Sequence, residues 1–260
     1  MPVTYSSYLK LDELLGLQHP LSDGPEHDEM LFIVIHQVYE LWFKQMLHEI
    51  DYLKSLLIDR DTPRVLHTFK RLLTILKVNV AQIDILETMT PLEFLSFRAR
   101  LESGSGFQSF QFREFEFVLG ARNPAALDRY PAESAARRRL EQRILEPTLW
   151  DAFLRYLSGA GHAVPKEVLE RDVTRPVQES AALQPVLLDV YRRDPEARTV
   201  CERMVDLDEG VQEWRYRHVK MVQRTIGTRR GTGGSDGAAY LMTTLNRPVF
   251  PDLWAIRAEL

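Results

Sequence analysis

The distribution of glycine and proline constrains this 260-residue chain more than any other feature. No glycine occurs between Gly24 and Gly104, and no proline occurs between Pro195 and Pro248. These are the two residues that the interior of an α-helix tolerates least, so such stretches predict long helices. No alternating apolar and polar pattern of useful length indicates a strand. The sequence therefore predicts an all-α protein, a multi-helix globular bundle with one domain over residues 1–260.

End signals delimit several of these helices. Residues 26–58 read as one helix whose middle is apolar on nearly every side, which requires burial among other helices. The next helix is expected over 61–88, with Pro63 in its first turn, followed by a short helix over 90–98 capped by Thr90. Further helices are predicted at 107–119, in short charged pieces between 125 and 157, at 178–193 and at 196–224.

Charge and cysteine content exclude several classes of protein. The net charge of −4 and the pI near 6.0 give no bulk basicity, so nucleic acid is not an expected partner. Cys201 is the sole cysteine, which removes disulfide frameworks and cysteine-rich zinc or iron–sulfur sites. The chain shows neither an export signal nor an apolar run of ~18 residues, so a membrane span is not expected. We expect a cytoplasmic protein.

A glycine-rich stretch follows the last long helix. Five of the thirteen glycines lie within the eleven positions from Gly227 to Gly237. Such a loop suggests backbone that approaches a ligand closely or moves. It is not a Walker phosphate loop, because no Gly-Lys-Ser/Thr follows and a helix precedes it. Arg229, Arg230 and Thr232 suit an anion such as a carboxylate, and the alternative is a flexible surface connection.

Two of the seven histidines lie in settings that suggest chemistry. His36 lies inside the most apolar helix with Phe32 on the same face, either as a core histidine or as a ligand beside a hydrophobic substrate or cofactor. His218 lies in a segment that begins at Trp214 and alternates aromatic residues with arginines. That segment suits a wall against a flat anionic partner such as haem, with Trp214 contacting the partner. A solvated helix face is the alternative.

Other motifs are absent or ambiguous. Neither Glu-x-x-His pairs, nor His-Glu-x-x-His, nor Gly-x-Ser-x-Gly occurs, so di-iron, zincin and hydrolase sites are not expected. Cys201 lies in an ordinary helical run and is expected to be structural. Arg98 follows two phenylalanines, Phe94 and Phe97, and suits either a carboxylate beside an aromatic ring or a pairing with a nearby acid.

Five segments carry a resemblance to a known family. In chain order they are HDEMLFIVIHQVYELWFK at 27–44, TPLEFLSFR at 90–98, SGSGFQS at 103–109, RHVKMVQR at 217–224 and GTGGSDG at 231–237. Together they resemble the tryptophan 2,3-dioxygenase family of haem-dependent indole dioxygenases. They follow the family's order and, with the N-terminal segment, span residues 4–240, so the resemblance covers nearly the whole chain.

The resemblance implies a function and an assembly. It implies a helical bundle that encloses b-type haem, with ferrous iron in the active form and O₂ as co-substrate. The reaction would insert both oxygen atoms across the indole C2–C3 bond of L-tryptophan to give N-formyl-L-kynurenine. The family is built as a homotetramer, a dimer of dimers. Residues 1–20 would contact the neighbouring subunit, and residues 225–240 would form a mobile substrate loop.

The resemblance also implies roles at the haem. His218 would be the proximal iron ligand, while Ser105 and Gly106 would line the distal side of the haem pocket. His36 would be the catalytic distal histidine that faces the indole N–H. We expect it to position the substrate by a hydrogen bond, since an indole N–H is too weakly acidic to be deprotonated fully by imidazole.

The same resemblance assigns a second set of residues to the substrate. In this chain they are Phe32 and Phe94 at the ring, Arg98 at the carboxylate, Thr232 at the ammonium and carboxylate end, and Tyr5 and Tyr8 from the neighbouring subunit.

Two positions depart from the family pattern. Some bacterial members have tyrosine where this chain has Phe94, and Asp236 stands where the family usually has a second serine. These differences leave open a related haem monooxygenase that acts on tryptophan or a substituted tryptophan and forms an oxindole. The sequence is also compatible with a haem-based sensor or carrier without turnover, and with a helical interaction protein without haem.

Overall fold

Helices are the only regular secondary structure in the regions that the structure, a computed structural model, describes: residues 2–24, 26–102, 104–229, 231 and 238–260. No strand occurs within those ranges, which confirms the predicted all-α class. The α-helices are α1 (Tyr5–Leu9), α2 (Leu11–Leu15), α3 (His27–Asp59), α4 (Thr62–Leu86), α5 (Pro91–Arg98), α6 (Phe110–Leu119), α7 (Ala135–Leu145), α8 (Leu149–Gly159), α9 (Lys166–Leu169), α10 (Gln184–Arg193), α11 (Pro195–Ile226), α12 (Ala238–Met242) and α13 (Pro251–Ala255).

The long helices α3 and α4 form an antiparallel pair joined by a very short turn. Arg60 adopts a left-handed conformation (φ 57°) that ends α3. The Asp61 side chain then accepts a hydrogen bond from the backbone N–H of Arg64 and caps α4, with a proline in the first turn. Both helices agree with the predicted ranges because their end signals are local to the sequence.

Helix α11 packs most extensively against α4. Asp194 caps it by accepting hydrogen bonds from the backbone N–H groups of Glu196 and Ala197. Gly210 lies near its middle, where an added Cβ would come within 2.7 Å of Leu76 on α4. The absence of a side chain at this position therefore permits the close approach of the two helices.

The prediction of short charged helices between 125 and 157 is wrong for α8. This helix is almost wholly buried, with Trp150 and Phe153 in the main core, and it packs against α3. The charged helix α7 directly precedes the apolar helix α8 in the sequence. The average composition of residues 125–157 therefore did not reveal the apolar character of α8. The predicted start of α10 at residue 178 is also too early, because the backbone N–H of Ser180 donates to Asp252 and the helix begins only at Gln184.

A buried ion pair fixes the start of α8. Arg171 donates two hydrogen bonds to Asp151, of 2.7 and 2.9 Å, and the backbone N–H of Thr148 donates a third of 2.7 Å. Burial raises the pKa of Asp151, but the hydrogen bonds from Arg171 and Thr148 outweigh it, so the pKa lies below its usual value. Asp151 is therefore ionised and links α8 to the segment after α9.

The N-terminal helices α1 and α2 lie on the surface. Tyr5 and Tyr8 on α1 are 76% and 77% exposed. The following segment is tied to α3, since Glu29 accepts hydrogen bonds from the backbone N–H groups of Leu21 and Ser22 at 2.7 and 3.1 Å. None of the helices in the described ranges combines the length and apolar character needed to cross a membrane.

Candidate functional site

A deep pocket opens between α3, α5, α6 and the C-terminal half of α11. The space open to the centre of a water molecule is about 260 Å³. Most of its wall is apolar, and the large aromatic residues of that wall are Phe32, Tyr39, Phe43, Phe94, Phe112 and Trp214. These side chains belong to or pack against the second hydrophobic cluster, between α3, α5 and α11, so the pocket is a gap within a packed core.

His36 lines this pocket from α3 with a defined hydrogen-bonding state. Its Nδ1 is 2.7 Å from the carbonyl oxygen of Phe32. Because a carbonyl oxygen only accepts, Nδ1 carries the hydrogen and Nε2 is the acceptor of the neutral ring. Burial lowers the pKa of His36, opposed by the hydrogen bond to Phe32 and by the charge of Glu40. The ring is therefore neutral near pH 7.

Aromatic residues and an arginine surround the same end of the pocket. The ring centroid of Phe32 lies 4.1 Å from that of His36 and 5.8 Å from that of Phe94. Arg98, the last residue of α5, lines the pocket there. Thr90 and Glu93 form a reciprocal capping box that fixes the start of this short helix. This end suits an aromatic ring that carries a carboxylate.

His218 faces the pocket from α11. Burial lowers its pKa to about 4, with a smaller effect of the charge of His36. The imidazole stacks on Trp214, with ring centroids 5.0 Å apart and 9° between the planes. Among the described residues its ring has no hydrogen-bond partner. A neutral imidazole in this state suits coordination to a metal, which requires an unprotonated nitrogen.

The segment before α6 contributes backbone to the wall. Gly104, Ser105 and Gly106 line the pocket, and the backbone N–H of Ser105 donates to the Gln108 side chain at 3.3 Å. A Cβ placed on Gly106 would meet nothing within 4 Å, so open space adjoins this backbone. A flat ligand can therefore approach the chain closely at this position.

Three further charged residues line the pocket, and the sequence analysis assigned them no role. Arg113 and Glu116 lie one turn apart on α6, and Arg215 lies on α11. Arg215 Nη2 is 2.9 Å from Glu116 Oε1, and Arg113 donates from Nη1 to Glu116 Oε2. The spacing of Arg113 and Glu116 along α6 indicates that they pair. No local signal indicates the pair of Glu116 and Arg215, because these residues are 99 positions apart in the sequence.

Two predicted site residues are not brought to this pocket, and a third lies outside the described residues. Tyr5 and Tyr8 are exposed on α1 and line no part of it. Thr232 lies outside the described residues, as do positions 230 and 233–237 of the glycine-rich stretch. Gly231, Leu241 and Thr244, on either side of that stretch, do line the pocket.

The pocket fits a haem. It offers one neutral imidazole without a hydrogen-bond partner in the described chain, an aromatic wall, and open space beside Gly106. Across the described ranges no group of three or more histidine, cysteine, aspartate or glutamate residues could hold a metal ion. Cys201 is buried away from the pocket, and burial raises the pKa of its thiol. A haem would itself supply the equatorial ligands of a metal held at His218.

The fold and the pocket together define a class, a helical protein with an apolar pocket suited to a flat prosthetic group beside an aromatic ligand. Comparison with known proteins then gives the family. The sequence model described as tryptophan 2,3-dioxygenase matches residues 1–148 and 166–260, and the chain belongs to this family.

Named relatives agree over the full length. The chain is 62% identical to the tryptophan 2,3-dioxygenase of Herpetosiphon aurantiacus, over 99% of this chain and 98% of that protein. It is 57% identical to the enzyme of the same name from Anaeromyxobacter sp. (strain K), over 99% and 96% of the two chains. A Nocardioides sp. tryptophan 2,3-dioxygenase is 47% identical over 99% and 95%.

These matches decide between the candidate functions at the level of enzyme class. They confirm the family resemblance and the prediction of an oxidoreductase of the dioxygenase type. They also support the dioxygenase reaction over the alternative of an oxindole-forming monooxygenase. The structure brings eight of the predicted site residues to one cavity, namely Phe32, His36, Phe94, Arg98, Ser105, Gly106, Trp214 and His218. The individual roles of these residues stay predictions.

Proposed function

We propose that the chain is a haem-dependent dioxygenase that inserts O₂ across the indole C2–C3 bond of L-tryptophan. The product is N-formyl-L-kynurenine, which places the reaction in tryptophan catabolism by the kynurenine route. One observation carries the proposal: His36, Arg98 and His218 line the same apolar cavity. The cavity thus offers a hydrogen-bond acceptor, a carboxylate partner and a metal ligand to one aromatic substrate.

His218 holds haem b, with Trp214, Ser105 and Gly106 against the macrocycle. Ferrous haem supplies the activation of O₂ when it is bound. The contribution of the chain is to keep the imidazole neutral by burial and to orient it by stacking on Trp214. The aromatic wall excludes water from the reacting atoms.

His36 orients the substrate. Its Nδ1–H is engaged by the Phe32 carbonyl, so Nε2 accepts the hydrogen bond of the indole N–H. The lowered pKa of His36 keeps that acceptor unprotonated. Because the indole proton is not removed, His36 acts by positioning the C2–C3 bond and not as a general base.

Arg98 binds the substrate carboxylate, and Phe32 and Phe94 pack against the indole ring. Thr232 meets the ammonium and carboxylate end. We propose that the substrate loop predicted over residues 225–240 closes over the site, although α11 continues to Ile226 and α12 begins at Ala238. Asp236 adds a negative charge to that loop near the anionic end of the substrate, where the family usually has serine.

The active assembly is a cytoplasmic homotetramer, a dimer of dimers, in which residues 1–260 of each chain form one domain. Residues 1–20 extend to the neighbouring subunit, where Tyr5 and Tyr8 complete the substrate site. Their exposure in the single chain supports this arrangement, because exposed tyrosines are favoured at protein interfaces.

Labelled oxygen tests the proposed reaction. The haem-reconstituted protein is given L-tryptophan and ¹⁸O₂, and the product is analysed by mass spectrometry. Two labelled atoms in N-formylkynurenine support the dioxygenase, whereas one labelled atom in an oxindole identifies the monooxygenase. Binding of O₂ without consumption of tryptophan identifies a sensor or carrier. The absence of a Soret band after reconstitution would identify the remaining alternative, a helical interaction protein that does not bind haem.

A further inference from the structure

A second and much smaller void adjoins the pocket. The space in it that is open to the centre of a water molecule is about 10 Å³. Because residues three positions apart share one face of a helix, four helix faces converge on this void. The helices α3, α4, α6 and α11 each contribute two residues with that spacing, namely Phe43 and Met46, Leu76 and Asn79, Phe112 and Phe115, and Val211 and Trp214.

The same three aromatic rings bound the void and the pocket. Phe43, Phe112 and Trp214 line both spaces. The ring centroids of Phe43 and Phe112 lie 5.4 Å apart, and those of Phe112 and Trp214 lie 4.7 Å apart. The partition is therefore one ring thick, and a side-chain rotation of one ring would connect the two spaces.

The wall of the void is apolar. Asn79 is the one lining residue with a polar side chain, and its Nδ2 donates to Met46 Sδ at 3.3 Å. No nitrogen or oxygen atom of the described residues is open to the void. A buried water molecule needs about two to four polar partners, so a void with this wall stays dry.

Size and polarity together indicate the occupant. A dry apolar void takes up small molecules that are themselves apolar. The void is too small for an indole ring, which excludes tryptophan. The family to which the chain belongs is named for tryptophan and for a dioxygenase reaction, so its other substrate is O₂. This molecule has no dipole and is close to water in size, so it meets both conditions.

We propose that the void is a docking site for O₂, filled from the pocket past the rings of Phe43, Phe112 and Trp214. The proposal rests on the proposed function, because it takes O₂ as the co-substrate. Trp214 belongs to the wall of the void and stacks on the His218 imidazole, so O₂ docked here stays close to the proposed haem site. The void thus holds the co-substrate beside the pocket without occupying the space that tryptophan needs.

Krypton tests whether the void accepts a small apolar molecule, since it is an apolar atom close to O₂ in size. Crystals of the native, haem-reconstituted protein are pressurised with krypton, and anomalous diffraction locates the bound atoms. We expect a krypton atom between Phe115 and Val211. A void without krypton would overturn the proposal. So would an ordered water bonded there to Asn79 Oδ1, which has no hydrogen-bond partner among the described residues.

Flash photolysis of the ferrous carbon monoxide complex tests whether the void communicates with the pocket. Carbon monoxide stands in for O₂, and molecules that dock in the void after photolysis rebind from within the protein. Val211→Ile adds one methyl group to the void and should abolish the part of this internal rebinding that krypton suppresses in the native protein. Val200→Ile should retain it and is the matched control, because Val200 is a buried valine of α11 that does not line the void.

Leu76→Ala changes the void in the opposite direction. It enlarges the void and should increase the krypton-sensitive part of the rebinding, which keeps the test decisive if Val211→Ile does not fold. Internal rebinding that is the same in the native protein and in both variants would show a closed void and overturn the proposal. A native protein that binds no haem would refute the proposed function as well. Failure of the krypton or rebinding test in a haem-loaded protein refutes only this inference.

Discussion

The indole of Trp214 and the imidazole of His218 stack one helical turn apart, with planes only 9° from parallel. Trp214 also contacts Phe112, whose ring centroid is 4.7 Å away. Within the described chain, aromatic stacking and not a hydrogen bond fixes the orientation of the His218 ring. This arrangement leaves both ring nitrogens of His218 without a protein partner there.

Replacing the stacked ring of Trp214 should therefore loosen His218, the proposed iron ligand. In Trp214→Leu we expect haem to dissociate about two- to tenfold faster, which corresponds to the loss of one aromatic pair. Transfer to apomyoglobin measures the rate. Trp214→Phe keeps a ring in place and should stay close to the native rate. Equal rates in the leucine and native proteins would show that stacking does not orient His218.

Removal of the His218 imidazole should weaken haem retention more than removal of the Trp214 ring. His218→Ala should not retain haem with the native absorption spectrum, and added imidazole should restore a Soret band by filling the vacated position. His48→Ala provides the control, because His48 lies on the exposed side of α3. A native spectrum in His218→Ala without imidazole would refute the proximal assignment.

The hydrogen bond from His36 to Phe32 predicts how activity depends on pH and on the indole nitrogen. The pKa of His36 is lowered by burial, so its Nε2 stays an acceptor as the pH falls through ~6.5, the ordinary value for histidine. We expect kcat/KM for tryptophan to show no decline at that pH. In His36→Ala it should fall roughly tenfold or more with tryptophan, but not with N1-methyltryptophan, which has no N–H to donate. Equal losses with both substrates would contradict the positioning role.

Arg98→Met tests the carboxylate end. Tryptophan should bind roughly tenfold to a hundredfold more weakly, as measured by calorimetry, while tryptamine, which lacks the carboxylate, should bind as it does to the native protein. Arg100→Gln is a close control, since Arg100 lies two residues further along and pairs with Asp23 at the surface. Unchanged tryptophan affinity in Arg98→Met would remove Arg98 from the site.

The ion pair of Asp151 and Arg171 predicts acid sensitivity. The folded pKa of Asp151 is below the unfolded value of about 3.9, so its contribution to stability is present above that pH and is lost as the pH falls through the folded pKa. Asp151→Asn should lower the free energy of unfolding by about 3 kcal/mol at pH 7, because Arg171 loses its buried partner. Urea unfolding should show this difference shrinking below about pH 4. If native protein and Asp151→Asn differ equally in their free energy of unfolding at pH 7 and below about pH 4, the charge of Asp151 does not contribute to stability.

The parts of this molecule that the sequence predicts well are those with local signals. The start of α4 follows from Asp61 and Pro63, and the shared face of Phe32 and His36 follows from helical spacing alone. The buried character of α8 escaped prediction because its neighbour in sequence is charged. The link from Glu116 to Arg215 escaped it because the two residues meet only when α6 and α11 pack together.

The contact at Gly210 has a consequence for the pocket, although this residue does not line it. The missing side chain sets the spacing between α11 and α4, and one turn further along α11 carries Trp214 and then His218. A single methyl group there would force α11, which carries His218, away from α4 unless the Leu76 side chain moved. The dimensions of the pocket thus depend partly on a position outside it, where the side chain is a single hydrogen atom.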